Sequence, residues 1–242
     1  MRPGRVVRHQ HPAYQVPDAT GSCPMYWYTH DDLFDAIQDR CARPMLDNLN
    51  PNNPTHRHWM DVIRSPVFTS LMPDQEFQSF VDEWMMIFDH IYFDNLVRCK
   101  TGPPIISHSR TGALAHYNPN ERELTIDIDC LYRTASFETG SVPVNHRVVS
   151  VLLHEMVHAF VDLYGCRCRD CFQRKPELDG VGIGHGPPFL TCLGYLHGHL
   201  QQAVLFEVRL GIKRSLEGEM EQGWRADATH PEHVRVWLSY PD

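Results

Sequence analysis

The chain has 242 residues and a net charge of −8, with 42% hydrophobic residues, 21% charged residues and a mean hydropathy of −0.38. That suffices for one domain with extensions and a sizeable core, and no apolar run approaches the roughly 20 residues of a membrane helix. The acidic balance weighs against a strong, general DNA-binding surface. The opening stretch, MRPGRVVRHQHPAYQVPDATGS, lacks the apolar core of a signal peptide, so the expected location is nuclear or cytoplasmic.

Residues 1–28 are rich in Pro, Gly and His and read as an irregular N-terminal arm, weakly basic at Arg2, Arg5 and Arg8. Thr29 or Asp31 can cap a helix running to about Arg40, with Leu33, Phe34 and Ile37 on one face. The NLNPNNP run from Asn48 to Pro54 is a loop. Residues 56–71 read as helical. Asp74 opens a stronger helix in which Phe77, Phe80, Val81, Trp84, Met85 and Phe88 recur at helical spacing, a stripe that marks core. Two strands follow, Ala113–Tyr117 and Arg122–Ile128, around Asn118-Pro119-Asn120. In the second, Leu124, Ile126 and Ile128 alternate with Thr125, Asp127 and Asp129. With a strand near 97–107 they predict a small antiparallel sheet arranged as a meander.

Residues 147–164 read RVVSVLLHEMVHAFVDLY. Apolar side chains cover most of this helix, which predicts burial. Its polar residues are not scattered: His154, Glu155, His158 and Asp162 form an i, i+1, i+4, i+8 stripe. Residues four apart share a helix face, so His154 and His158 can point at one metal ion with Glu155 beside it. A helical HExxH is the signature of a zinc hydrolase with glutamate as general base. Among 16 histidines the alternative is a core helix with hydrogen-bonded imidazoles. Burying three ionisable groups without partners costs several kcal/mol, so the stripe must face a wet groove, a metal, or both. Asp162 is a candidate partner behind the ligands, with a surface or capping role equally open.

A third ligand is needed, with an open fourth position if the site is catalytic. Residue 164, six after His158, is Tyr, so the metzincin spacing is absent. Glu177 lies between Pro176 and Gly180 in loop-like surroundings. His185 fits better. Glycines flank it, and Pro187 suits the first turn of a new helix in which Phe189, Leu193, Leu196 and Leu200 would pack on the HExxH helix. Between the motifs, Cys166, Cys168 and Cys171 form a C-x-C-x2-C trio. A second metal with Cys192, His197 or His199 as fourth ligand, a disulfide and free thiols are all open there. The remaining cysteines at 23, 41, 99 and 130 read as small buried hydrophobes. Residues 211–242 carry mixed charge and little periodicity. They read as a C-terminal extension to a domain spanning 29–210, either packed on it or reserved for a partner.

The HEMVHAF of residues 154–160 followed by the GHGPPF of 184–189 resembles the SprT-like domain of the Spartan-type zinc proteases. The stretch Phe88 to Leu96, FDHIYFDNL, is similar to that family's helix end and first-strand entrance. The resemblance spans residues 75–205 and is strongest at the two histidine motifs. It implies an α+β, zincin-like fold with the small antiparallel sheet packed on helices, Zn2+ held by His154, His158 and His185, and a catalytic Glu155. Family members often carry a C-terminal zinc ribbon or ubiquitin- and DNA-binding motifs; no paired CxxC follows residue 205 here. The expected function is a zinc-dependent endopeptidase acting on protein substrates, with DNA-associated proteins among the candidates. The substrate would bind extended in a cleft, along an edge strand. No membrane partner is expected, and net charge does not support DNA as one. A catalytically quiet zinc-binding scaffold is the competing reading. The intact Glu155 favours the enzyme, because a scaffold needs the histidines but not the base.

Overall fold

Thr29 starts the first helix, α1 (His30–Cys41), through a capping box. Its hydroxyl accepts the Asp32 N–H at 3.1 Å, and the Asp32 carboxylate reaches back to the Thr29 N–H at 3.3 Å. Leu33, Phe34 and Ile37 are buried on one face, as their spacing requires. The structure, a computed structural model, describes residues 28–64, 73–109, 112–137, 144–166, 168, 184–203, 208–224 and 231–240. The N-terminal arm before Tyr28, Cys23, Cys171 and Glu177 lie outside the described residues.

A 3-10 turn (Met45–Asn48) and α2 (Pro54–Arg64) come next; the rest of the helix expected over 56–71 lies outside the described residues. The long helix α3 (Asp74–Tyr92) buries Phe77, Val81, Trp84, Met85 and Phe88, with Phe80 half-buried at the margin. A tight turn ends it. Asp94 and Asn95 stand at φ 52 and 62, a left-handed conformation that Asn and Asp tolerate better than other side chains. Asp89, buried at the end of α3, accepts the backbone N–H groups of Val97 and Arg98 at 2.9 Å each. It thereby fixes the entry to the short α4 (Arg98–Thr101).

Three short strands follow: β1 (Ile105–Ser107), β2 (Ala115–Asn118) and β3 (Glu123–Asp127). The expected hairpin forms, with β2 antiparallel to β3 and Tyr117 opposite Leu124. The expected all-antiparallel meander does not. The spatial order is β1-β3-β2, and β1 runs parallel to β3. Burial explains the order. In β3, Leu124, Ile126 and Asp127 are buried, whereas no residue of β1 or β2 is, so β3 takes the centre and the others the edges.

The alternating pattern extended to Ile128, but the chain turns helical there. The Asp127 carboxylate accepts the Cys130 N–H at 2.9 Å and the Ser109 hydroxyl at 2.7 Å. The first of these is an N-cap bond, and it starts α5 (Ile128–Phe137), a helix not expected from the sequence. The second half of the chain supplies α6 (Val144–Tyr164), α7 (Pro187–Ala203), α8 (Ile212–Glu221) and α9 (Pro231–Trp237). The molecule is therefore α+β, mostly helical around one small mixed sheet.

Helix α6 is central. It packs against β2, β3, α1, α3 and α5, and Val148, Val149, Leu152, Leu153, Met156, Val157, Ala159 and Phe160 are all buried. Its C-terminal end is pinned to the start of the described chain, where Tyr28 pairs with Gly165 in a parallel bridge. Helix α7 was expected to lie along α6. It lies mainly against α1 and reaches the histidines of α6 through Phe189. The C-terminal helices α8 and α9 pack on α7 and on each other, which makes residues 212–221 and 231–237 part of the folded body. Among the described residues no helix is long and apolar enough to cross a membrane.

Candidate metal centre

His154 and His158 project from one face of α6, and the loop before α7 brings His185 against them. The three Nε2 atoms form a nearly regular triangle: 154 to 158 at 3.2 Å, 154 to 185 at 3.0 Å and 158 to 185 at 3.0 Å. Nitrogens bound tetrahedrally to one ion at 2.0–2.1 Å lie about 3.3 Å apart, so the triangle is close to the size a metal requires. These three residues could bind a metal ion.

The protonation pattern supports that fit. His154 Nδ1 lies 2.9 Å from the Leu210 carbonyl oxygen. A carbonyl only accepts, so Nδ1 carries the proton, and the Nε2 of neutral His154 presents a lone pair to its neighbours. Three imidazole nitrogens that converge in this way satisfy one another poorly and satisfy a cation well. Burial also keeps the rings neutral, as ligands must be. It lowers His154 to about 4, a change only partly offset by the Leu210 bond. Burial and the neighbouring His154 lower His185 to about 3, and burial with both neighbours lowers His158 well below its ordinary value.

Phe189 forms the floor of the site. Its ring stacks on His158 at 4.2 Å and 23°, and packs on His154 at 5.3 Å and on His185 at 5.0 Å. The sequence marked Phe189 only as a core residue of α7. Gly184 has φ +86, a backbone state that other residues reach only with strain, and a Cβ at this position would meet the His158 ring. Gly186 then offers its carbonyl to the Leu190 N–H at 3.0 Å as α7 begins at Pro187.

Glu155 lies beside the triad on α6 with its carboxylate enclosed. Burial raises it to about 7, against the opposing effect of the Tyr117 N–H, which donates to Oε2 at 2.9 Å. Tyr117 sits on β2, an outer strand of the sheet. Its hydroxyl donates to Asp162 at 3.0 Å. Asp162 therefore ties α6 to that strand; no bond from it to a triad histidine is present among the described residues. Two more supports were not foreseen. The Leu210 carbonyl holds His154, and Glu219 accepts the His185 N–H at 3.0 Å.

The Cys168 N–H lies 3.4 Å from the Cys166 sulfur, and the two sulfurs are not bonded to each other. A disulfide between these two is thus absent, and the role assigned jointly with Cys171 falls partly outside the described residues. Cys130 is buried as expected, but Cys99 is exposed and Cys41 half-buried. Cys99 lies on the short α4 at the surface, where its thiol finds the Leu96 carbonyl at 3.2 Å.

Comparison with protein-family models, with curated proteins and with solved structures yields no match for this chain.

Proposed function

We propose that this chain is a zinc-dependent endopeptidase with a zincin-like, SprT-like catalytic domain. The observation that carries the reading is the convergence of three imidazole Nε2 atoms within 3.2 Å of one another with Glu155 adjacent on the same helix. His154, His158 and His185 would hold the ion. Bound zinc would act as a Lewis acid toward the scissile carbonyl and its attacking water. Imidazole donors also suit other transition metals, and zinc is preferred here because the carboxylate beside the ligands gives the set a hydrolytic purpose.

The chain's own residues supply the rest. Glu155 is the general base and then the acid that protonates the leaving amine. Its Oε2 is steadied by the Tyr117 N–H, which leaves Oε1 for the water. A carboxylate whose affinity for a proton is raised by burial is matched to this exchange near neutral pH. The outer strand β2 lies alongside, so an extended protein substrate could add to it by main-chain hydrogen bonds. Such binding reads backbone more than side chains and suits broad sequence specificity. The net charge of −8 weighs against strong DNA binding and so against a substrate class restricted to DNA-bound proteins.

A catalytically quiet zinc scaffold is the second reading. The bond from Tyr117 favours it to a degree, since Glu155 could be retained only to join α6 to the sheet. An assay separates the two. The full chain is incubated with an unfolded protein substrate, with and without a metal chelator, and with and without single-stranded DNA. Chelator-sensitive cleavage supports the peptidase; stoichiometric zinc without cleavage under any of these conditions supports the scaffold.

A further inference from the structure

Two of the bonds that hold the histidine triad come from a segment that contributes no histidine to it. Leu210 lies just before α8 and Glu219 in its last turn, 56 and 34 residues from the groups they hold. We propose that Glu219 is a positioning residue of the metal centre, acting through the backbone of His185, and that the segment 208–221 is an integral part of that centre. This inference rests on the reading of the triad as a metal site.

Glu219 has no solvent-exposed surface. A glutamate is almost never fully buried unless its carboxylate is used, and one use is visible: Oε1 accepts the His185 N–H. Helix α8 carries the carboxylate inward because Ile212, Ser215, Leu216 and Glu219 share its buried face at spacings of three and four.

His185 is the ligand that most needs such an anchor. His154 and His158 are fixed by their places on one well-packed helix, and His154 has a ring bond to Leu210 as well. His185 precedes α7 in non-helical backbone next to Gly184 at φ +86. Its ring Nδ1 is buried and has no hydrogen-bond partner among the described residues. The usual device that orients a ligating histidine, a bond to its second ring nitrogen, is thus missing at this position. What remains is the tilted ring contact with Phe189 at 5.0 Å and the backbone bond to Glu219. Removing that acceptor leaves a buried N–H unsatisfied and frees the ligand's main chain. The bond needs an acceptor oxygen at the reach of a glutamate side chain, and a glutamine supplies the same oxygen without the charge.

The test is zinc affinity of the full chain, measured by competition with a chromophoric chelator, for wild type, Glu219→Ala, Glu219→Gln, Glu219→Asp, His185→Ala and the His185→Ala/Glu219→Ala pair. Glu219→Ala and Glu219→Asp should each weaken zinc by roughly ten- to a hundredfold, the usual size of such an effect. Glu219→Gln should stay within about threefold of wild type, because the acceptor is kept. In the His185→Ala background, adding Glu219→Ala should change affinity no further, since the two act as one unit. Wild-type affinity in Glu219→Asp, or an equal loss with and without His185, would overturn the proposal. The aspartate variant decides the matter if the alanine variant does not fold. A wild-type chain that binds no zinc would instead refute the metal-site reading itself.

Discussion

The backbone N–H of Tyr117 donates to Glu155 Oε2 at 2.9 Å, so the outer strand of the sheet holds the carboxylate that stands beside the histidine triad. The bond spans 38 residues of sequence and uses an N–H turned toward α6 and away from the ladder with β3. A proline at an edge position whose N–H is not in the ladder is tolerated. Tyr117→Pro should therefore keep zinc and lower peptide hydrolysis by roughly ten- to a hundredfold, part of what a well-placed base contributes. Tyr117→Phe keeps the N–H and loses only the hydroxyl bond to Asp162. Its activity should be near wild type, with a stability loss of about 1 kcal/mol. Equal turnover by both variants would disconnect the strand from the base.

Gly184 gives a second prediction. A Cβ there would sit 3.7 Å from His158 Cε1, which is ordinary contact, so space does not forbid a side chain. The φ of +86 does. Gly184→Ala should cost about 1–2 kcal/mol for the left-handed backbone, and it should weaken zinc because His185 is the next residue. Thermal melts in chelator give the first quantity and zinc competition the second. An unchanged melting temperature would mean that the loop relaxes to a different backbone.

Removal of Phe189 should affect all three ligands at once, since its ring touches each imidazole. Phe189→Ala opens a cavity at the base of the site and should cost about 3–5 kcal/mol. Zinc affinity should fall more than in a core truncation away from the site, such as Phe77→Ala. Similar affinities in the two variants would make Phe189 an ordinary core residue.

The metal-free protein should be acid-sensitive. His154, His158, His185 and the buried His199 all have lowered folded values. His199 is enclosed between the Tyr92 hydroxyl and the Arg43 carbonyl. Groups with lowered folded values contribute stability above their ordinary 6.5 and lose it as pH falls toward the folded values, about 4 for His154 and 3 for His185. Asp89 and Glu155 act in the opposite sense. Burial raises them to about 6 and about 7, so their contribution is lost as pH rises through those values. Burial also lowers His56 and His90, while Asp35 and His108 are raised, so the lowered histidines outnumber the raised groups six to four. Stability in chelator should therefore show a net fall as pH drops from about 6.5 to 4, where the lowered histidines must take up protons. Denaturant midpoints across that range check it; a midpoint that rises on acidification would reverse the assignment.

Much of this centre was legible in the sequence because its parts are local. Four-residue spacing puts His154 and His158 on one face whatever surrounds the helix, and the glycines around His185 with Pro187 mark a loop entering a helix. The capping box at Thr29 and the aromatic face of α3 are legible for the same reason. What escaped depends on tertiary position. The alternation through Ile128 describes a strand equally well whether or not Asp127 turns to cap a helix. The parallel pairing of β1 with β3 follows from which strand takes the buried centre, and a segment as short as Ile105–Ser107 does not encode that. Leu210 acts through its carbonyl, which every residue has. Glu219 was hidden in a stretch with few apolar residues, although Ile212 and Leu216 four apart are the trace of its buried face.

The central claim is that three histidines hold a zinc ion which Glu155 makes hydrolytic. The most direct measurement is zinc content and peptide cleavage on the same preparations of wild type and Glu155→Gln. The variant removes a proton acceptor and keeps every proposed ligand and an oxygen to accept the Tyr117 N–H. The account predicts about one zinc per chain in both proteins and cleavage reduced at least a hundredfold in the variant. Cleavage at the wild-type rate in Glu155→Gln, or a wild-type chain that carries no zinc, would contradict it.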